Sequence, residues 1–256
     1  MHEAAMHPQN CFITLTFDDE HLPETYSVHK RTYQLFQKKL RKHCHPKTIR
    51  FYACGEYGPE NLRPHYHALI FNHDFPDKKP YKKTPQGDQL YTSEKLSTLW
   101  GFGFCTTGDV TYQSAGYVAQ YVQKKITGDK ATSHYLRTHP VSGAVVQVEP
   151  EFSLQSRNPG LGSAWFDKFQ GDCFPSDFLV VDDKQRRVPQ FYLSKLKQQE
   201  AYDVPTGKLV TKNRSQQVKR KRKGHALTTR ANSTPERLRV REQVKKEKLK
   251  LLKRTL

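Results

Sequence analysis

Segments with strand-like alternation are the feature that most constrains the fold of this chain. In Cys11 to Phe17 (C-F-I-T-L-T-F), one side carries Phe and two Thr, and the other carries only apolar side chains, which is the two-residue period of a β-strand. Thr48 to Cys54 and His65 to Phe71 (H-Y-H-A-L-I-F) show the same strand character. A Gly- and Pro-containing stretch, Gly55 to Pro64, is predicted to be the loop that joins these two as an antiparallel pair.

Helical spacing and turn residues mark the elements between the strands. Val28 to Lys42 repeats apolar residues at helical spacing among basic ones, which predicts an amphipathic helix covering a sheet. Asn72 to Thr92 is polar and Pro-containing and is predicted to be a surface excursion, followed by a short helix at Ser93 to Trp100 and a strand near Phe102 to Thr106. We therefore predict an α+β, RRM-like fold with a central antiparallel sheet of about five strands flanked by helices.

The pattern beyond residue 130 is weaker. Val145 to Val148 is predicted to be a strand, and Phe178 to Val181 with Val188 to Leu193 is predicted to be a hairpin. From about Lys195 the composition turns basic and poor in core residues. We therefore predict a folded domain over residues 1–195 and a flexible or helical basic tail over 196–256, with a charged helix at Thr234 to Arg254.

The positive charge is concentrated in that tail. Of the net charge of +18, most lies between Lys208 and Leu256, which hold 18 Lys+Arg and 3 Asp+Glu. The run Lys219, Arg220, Lys221, Arg222 and Lys223 suits contact with a phosphate backbone, although a solvated arm would have the same composition. Five scattered cysteines without a C-x-x-C pair indicate reduced thiols, and no secretion signal or membrane-spanning run is present, so a cytosolic location is expected.

Two histidines share one face of the His65 to Phe71 strand. Side chains at i and i+2 project from the same face, so His65 and His67 aim at one spot while Tyr66 points away. A carboxylate would complete a set of mixed nitrogen and oxygen metal ligands, and we favour Glu56, which directly follows the preceding strand, over Glu60. Without a metal, the same pattern fits a polar sheet face.

A predicted helix over Ala115 to Ile126 carries two tyrosines four residues apart. Ser114 is a plausible N-cap and Gly128 lies just past the end. Val118, Val122 and Ile126 form an aliphatic stripe, whereas Tyr117 and Tyr121 share a neighbouring face. Such a pair can simply pack in a core, but the stripe already serves burial. A tyrosine is a poor nucleophile at its ordinary pKa near 10, so a metal on the histidines, with Lys124 or Lys125 as a second cation, would assist its attack on a phosphate.

These segments resemble a known family in order and spacing. F-I-T-L-T-F, then R-P-H-Y-H-A-L-I-F, then Y-V-A-Q-Y-V-Q-K-K resembles the three motifs of HUH endonucleases that initiate rolling-circle replication. T-F-D-D-E-H-L-P, C-G-E-Y-G-P-E-N-L-R-P-H-Y-H and R-N-P-G-L-G-S-A-W-F resemble more narrowly the replication initiation proteins of the gokushovirus group of Microviridae. The resemblance spans roughly Met1 to Leu193.

The resemblance implies a specific activity. It implies that His65 and His67 bind Mg²⁺ or Mn²⁺, with Glu56 as third ligand, and that Tyr117 or Tyr121 cuts a phosphodiester to leave a 5′-phosphotyrosine link and a free 3′-hydroxyl. The implied partners are single-stranded DNA, the origin of the replicative form, and host helicase and polymerase, in the host bacterial cytoplasm. A plasmid initiator, relaxase or transposase shares this chemistry, and a non-catalytic single-stranded nucleic-acid-binding module remains an alternative of another class.

Overall fold

The chain forms two compact units. The structure, a computed structural model, divides at Met1–Leu161 and Gly162–Arg254. It describes residues 1–58, 61–120, 125–181, 183–202, 214–228, 230 and 234–251. Within these ranges no helix combines the length and the apolar composition that crossing a bilayer requires.

The first unit holds nine strands and four helices among its described residues. The strands are β1 (Asn10–Thr16), β2 (Arg50–Tyr57), β3 (Pro64–Phe71), β4 (Lys79–Lys83), β5 (Gln89–Thr92), β6 (Cys105–Gly108), β7 (Leu136–Thr138), β8 (Val145–Gln147) and β9 (Phe152–Gln155). The helices are α1 (Lys30–Cys44), α2 (Glu94–Trp100), α3 (Tyr112–Gln120) and α4 (Lys130–His134). Strands β7 and β8 form a separate two-stranded sheet.

A seven-stranded antiparallel sheet organises this unit. Its order is β4-β5-β6-β1-β3-β2-β9, so the histidine strand β3 lies between β1 and β2. Thr14 pairs with His67 across β1 and β3, and Glu56 pairs with His65 across β2 and β3. The antiparallel α+β architecture predicted from the sequence is therefore confirmed, with seven strands in the main sheet where about five were expected.

Helices α1 and α2 cover one face of the sheet with the main core. The predicted helical stripe of α1 is buried there together with Tyr66, which points away from the histidines as expected. Buried Trp100, the last residue of α2, donates from its indole nitrogen to the carbonyl oxygen of Thr16 at 2.7 Å. Ser93 caps α2 by accepting from the amide of Leu96 at 3.1 Å, as Ser at an N-cap does.

Helix α3 lies over the other face, against β3 and β2. A smaller apolar cluster forms here, and its buried members are Phe12, Cys54, Leu69, Phe71 and Val118. Because alternate residues of a strand share a face, the members of this cluster on β1, β2 and β3 lie on the face that carries the two histidines.

The surface excursion predicted for the first unit was wrong in detail. That segment contains the hairpin β4-β5, which extends the sheet at one edge. Every residue of β4 is exposed, so the strand has none of the apolar alternation from which a strand is recognised. The backbone hydrogen bonds between β4 and β5 define it instead.

The second unit holds one hairpin and four helices among its described residues. These are α5 (Ser163–Cys173), β10 (Phe178–Val181), β11 (Lys184–Arg187), α6 (Gln190–Tyr202), α7 (Arg214–Thr228) and α8 (Pro235–Leu251). The hairpin predicted at Val188 to Leu193 is wrong in its second strand, because β11 precedes it and Val188, Tyr192 and Leu193 pack in a helical core instead. The boundary predicted after residue 195 falls inside α6.

Candidate metal centre

The carboxylate of the candidate site lies on a strand. Glu56 was expected at the start of a loop, but β2 continues to Tyr57 and places Glu56 directly opposite His65. Two neighbouring strands therefore supply the three residues, and backbone pairing fixes their spacing. Glu60, the alternative carboxylate, lies outside the described residues.

The three side chains converge through their terminal atoms. His65 Nε2 and His67 Nε2 each lie 3.0 Å from the same oxygen, Glu56 Oε1. One ligand atom from each residue falls within 4.8 Å of the others. Glu56 and His67 are buried and His65 is partly exposed, so the site opens to solvent on the His65 side.

The second nitrogen of each imidazole is held by a neighbour. His65 Nδ1 lies 3.1 Å from the carbonyl oxygen of Arg63; a carbonyl can only accept, so Nδ1 carries the hydrogen. His67 Nδ1 lies 2.9 Å from Thr14 Oγ1. These contacts turn both Nε2 atoms toward Glu56 and favour the tautomer that leaves Nε2 free to ligate.

Electrostatics keep Glu56 ionised. Burial on its own raises the pKa of this carboxyl, but hydrogen bonds and positive charge from His65 and His67 outweigh burial and lower the pKa to about 2. At neutral pH the site therefore offers a carboxylate and two imidazole nitrogens. This donor set fits a divalent cation that accepts both nitrogen and oxygen ligands.

The tyrosine helix places Tyr117 beside the cluster. The rings of Tyr117 and His67 meet edge to face with centroids 5.1 Å apart, and Val118 is buried beneath the helix. The predicted N-cap was wrong: Thr111 Oγ1 accepts from the amide of Ser114 at 3.1 Å, and the amide of Thr111 donates to Ser114 Oγ at 2.9 Å. This reciprocal pair makes Thr111 the cap and starts the helix at Tyr112.

The rest of the predicted catalytic group is not gathered at the cluster in the described part of the chain. Tyr121 and Lys124 lie outside the described residues, as does Val122. Lys125 is exposed and non-helical, which contradicts a helix running to Ile126. It lines an opening with Lys30 and Arg157 that none of the three cluster residues lines.

The basic run predicted to bind DNA lies on α7 and is not uniformly available. Lys219, Arg220, Lys221 and Lys223 are exposed. Arg222 donates to both carboxylate oxygens of Asp177 at 2.6 Å, so this residue stabilises the second unit.

Thr14 and Phe12 are site residues that the sequence patterns did not single out. The Phe12 ring stacks on the His67 ring at 5.6 Å and 11°, while Thr14 holds the imidazole edge. The available signal was the polar Thr on the otherwise apolar strand predicted to share the sheet with His65 to Phe71. The pairing partner of Thr14 was not readable from one segment.

Comparison with known proteins defines the class to which this arrangement belongs. Residues 10–126, which run from β1 past α3, match the family model for replication-associated proteins of the ORF2 type. This segment contains the three cluster residues and Tyr117, and it belongs to that family. No solved structure gave a significant match.

The particular relatives are phage proteins. The chain is 32% identical over 199 residues to replication-associated protein VP4 of Bdellovibrio phage phiMH2K, covering 75% of this chain and 59% of the relative. It is 30% identical to replication-associated protein ORF2 of Spiroplasma virus 4, covering 72% of this chain and 56% of the relative. A shorter match, 34% identical over 48% of this chain and 32% of the relative, is to replication-associated protein ORF4 of Chlamydia phage 1.

The chain thus spans little more than half the length of the first two relatives. The resemblance to gokushovirus-type replication proteins is confirmed by these matches.

Proposed function

We propose that this protein initiates rolling-circle DNA replication by nicking single-stranded origin DNA through a covalent tyrosine intermediate. The observation that carries the proposal is the convergence of Glu56 Oε1, His65 Nε2 and His67 Nε2 next to the ring of Tyr117. The names of the phage relatives and the motif order support the same activity.

The proposed reaction is a transesterification at phosphorus. The hydroxyl oxygen of Tyr117 or Tyr121 forms a bond to the phosphorus, the bond from phosphorus to the 3′ oxygen breaks, and the phenol proton passes to the departing 3′ oxygen directly or through water. The products are a 5′-phosphotyrosine and a free 3′-hydroxyl. When bound to Glu56, His65 and His67, Mg²⁺ or Mn²⁺ would polarise the scissile phosphate and stabilise its developing negative charge.

The residues around the nucleophile have separate tasks. The carboxylate of Glu56 supplies negative charge for the cation, while the ring of His67 is held on one face by Phe12. Helix α3 fixes Tyr117 on the same face of the sheet through buried Val118. The second tyrosine would cut the regenerated origin and allow the released strand to close, while a host polymerase extends the 3′-hydroxyl.

The experiment uses single-stranded DNA containing the phage origin, labelled separately at each end, with Mn²⁺ and a denaturing gel. The 3′ label should shift with the protein, and the 5′ label should appear as a shorter strand that a polymerase can extend. EDTA should abolish both products.

Paired tyrosine variants decide the assignment. Tyr117→Phe combined with Tyr121→Phe should remove the covalent adduct. Tyr112→Phe should retain it, because Tyr112 is an exposed residue of the same helix. An adduct that persists in the double variant would refute the proposal, and DNA binding with no cleavage under any condition would favour the non-catalytic binding module.

A further inference from the structure

A basic groove lies at the β9 edge of the first unit, apart from the metal centre. It is an opening of about 730 Å³ between α1, the start of β2 and the segment after β9. The five Lys and Arg residues that line it are Arg31, Lys38, Arg41, Arg50 and Arg157, and none of its described lining residues is acidic or belongs to the metal centre. We call this feature the edge groove.

One side of α1 forms the basic wall of the groove. Arg31, Gln34, Lys38 and Arg41 follow one another at intervals of three, four and three residues, which places them along one side of a helix. The helix contains six Lys or Arg and no acidic residue in its 15 residues. Like charges three or four residues apart repel, so this side of the helix is stabilised when an anion lies against it.

Most of these cations have no acidic partner. Arg31, Lys38 and Arg157 are exposed and form no ion pair with any residue that the structure describes, and the guanidinium of Arg41 lies over the ring of Phe51 at 5.7 Å. Arg50 differs, because it pairs with Glu3 at 2.6 Å. Four positive side chains are therefore available to a ligand.

A buried amide in the groove also lacks a partner. Gln37 is only 3% exposed and lines the groove. Its Oε1 accepts from the hydroxyl of Tyr33 at 3.2 Å, while its Nε2 meets no acceptor among the described residues. A buried donor without an acceptor is unfavourable, and an anionic oxygen in the groove would satisfy it.

The opposite wall is held by β2. Ser156 continues the pairing after β9: its amide donates to the carbonyl of Phe51 at 3.0 Å, and its Oγ accepts from the amide of Phe51 at 3.1 Å. This fixes the position of the neighbouring Arg157, which also lines the second opening with Lys30 and Lys125. Positive charge therefore continues along β9 toward the segment that follows α3.

We propose that the edge groove binds the sugar-phosphate backbone of single-stranded DNA at a second site, separate from the metal centre. From Arg31 to Arg41 the helix rises roughly 15 Å, a length that matches a run of several phosphates better than a single anion. Its aromatic lining residues, Tyr33 and Phe51, are buried, so the groove offers no exposed ring for stacking, and binding should depend on phosphates and not on sequence. The choice of DNA as the polyanion rests on the proposed function.

Two charge-matched double variants of α1 test this site. Lys38→Gln with Arg41→Gln removes two groove cations. Lys39→Gln with Lys42→Gln removes two cations from the same turns that do not line the groove, and Lys39 has its own ring contact with Phe102 at 5.5 Å. Each pair therefore loses the same charge and one comparable cation–ring contact.

The probe is a fluorescent single-stranded DNA of mixed sequence without the origin, titrated in EDTA at several salt concentrations. Each lost phosphate contact should reduce the logarithmic salt slope by about 0.7. The groove variant should therefore bind about 25-fold more weakly at 0.1 M salt, whereas the control pair should bind like the native chain. EDTA excludes cleavage, so a chain that never nicks DNA would still give this result.

A second measurement uses the native chain. Acetylation followed by mass spectrometry should show Lys38 protected by the DNA and Lys42 unprotected. Equal weakening in both double variants, no weakening in either, or equal labelling of the two lysines with and without DNA would overturn the proposal. Matching thermal unfolding curves for the two variants verify that both are folded.

Discussion

Replacing Thr14 by Val removes one hydroxyl from the candidate metal centre and nearly preserves the side-chain shape. In the native chain, Thr14 Oγ1 lies 2.9 Å from His67 Nδ1, and His67 Nε2 faces Glu56 Oε1 at 3.0 Å. Without the hydroxyl, nothing at Nδ1 favours the tautomer that leaves Nε2 free to ligate. The fold should be unaffected because both side chains are β-branched and suit a strand.

The size of the effect follows from what still restrains the ring. Loss of an outer partner of a ligating histidine typically weakens metal binding by about 10- to 100-fold. The Phe12 ring still stacks on His67 at 5.6 Å, so the ring keeps its plane and loses mainly its tautomer preference. We therefore expect about tenfold weaker Mn²⁺ binding, or about 1.4 kcal/mol.

The assay is a Mn²⁺ titration of the purified chain followed by electron paramagnetic resonance of the free ion. Thr106→Val is the matched control, because Thr106 pairs with Thr14 across β6 and β1 and is also buried. Within the described part of the chain, no hydrogen bond joins it to the ligand residues. Native Mn²⁺ affinity in Thr14→Val, or an equal loss in both variants, would refute the role assigned to Thr14.

Three further predictions concern stability. Burial and nearby positive charges lower the pKa of His73 to about 4; its contribution is complete above the unfolded pKa of about 6.5 and is lost toward pH 4, by up to about 3 kcal/mol. His73→Phe should flatten this part of the urea-midpoint profile, and an unaltered profile would contradict the cause. Gly55→Ala would place a methyl group 2.7 Å from a ring carbon of Phe152 and should cost about 1–3 kcal/mol in urea unfolding; an unchanged midpoint would show that the ring moves freely. Arg222→Gln should lower thermal stability by about 1–2 kcal/mol through loss of its contacts with Asp177, and a loss of DNA affinity at unchanged stability would restore the original DNA-binding assignment.

The elements that the sequence predicted well are those with one buried face. The two sides of β1, the strand β3 and the amphipathic helix α1 follow from apolar periodicity because each has one side in the core. The polar strand β4 has no buried side. Its existence depends on pairing with β5, which no local pattern encodes.

Glu56 illustrates how a local rule is overridden by long-range packing. Glycine and proline after Cys54 favoured a loop, yet Gly55 lies in β2 opposite Phe152 of β9. A side chain at position 55 would collide with that ring, so the glycine makes room for an aromatic residue far along the chain. The sequence predicted the identity of the third ligand, but its strand placement needed the β9 pairing.

The common register of β2 and β3 restricts which changes in length the site can survive. Because neighbouring residues of a strand face opposite sides, deletion of one residue within β2 before Glu56 would turn its carboxylate toward the apolar core or break the pairing with β9. The same change in β3 would exchange His65 and His67 for Tyr66. Length variation in homologous chains should therefore concentrate in the connection between the two strands, where it leaves the parity of all three ligands intact.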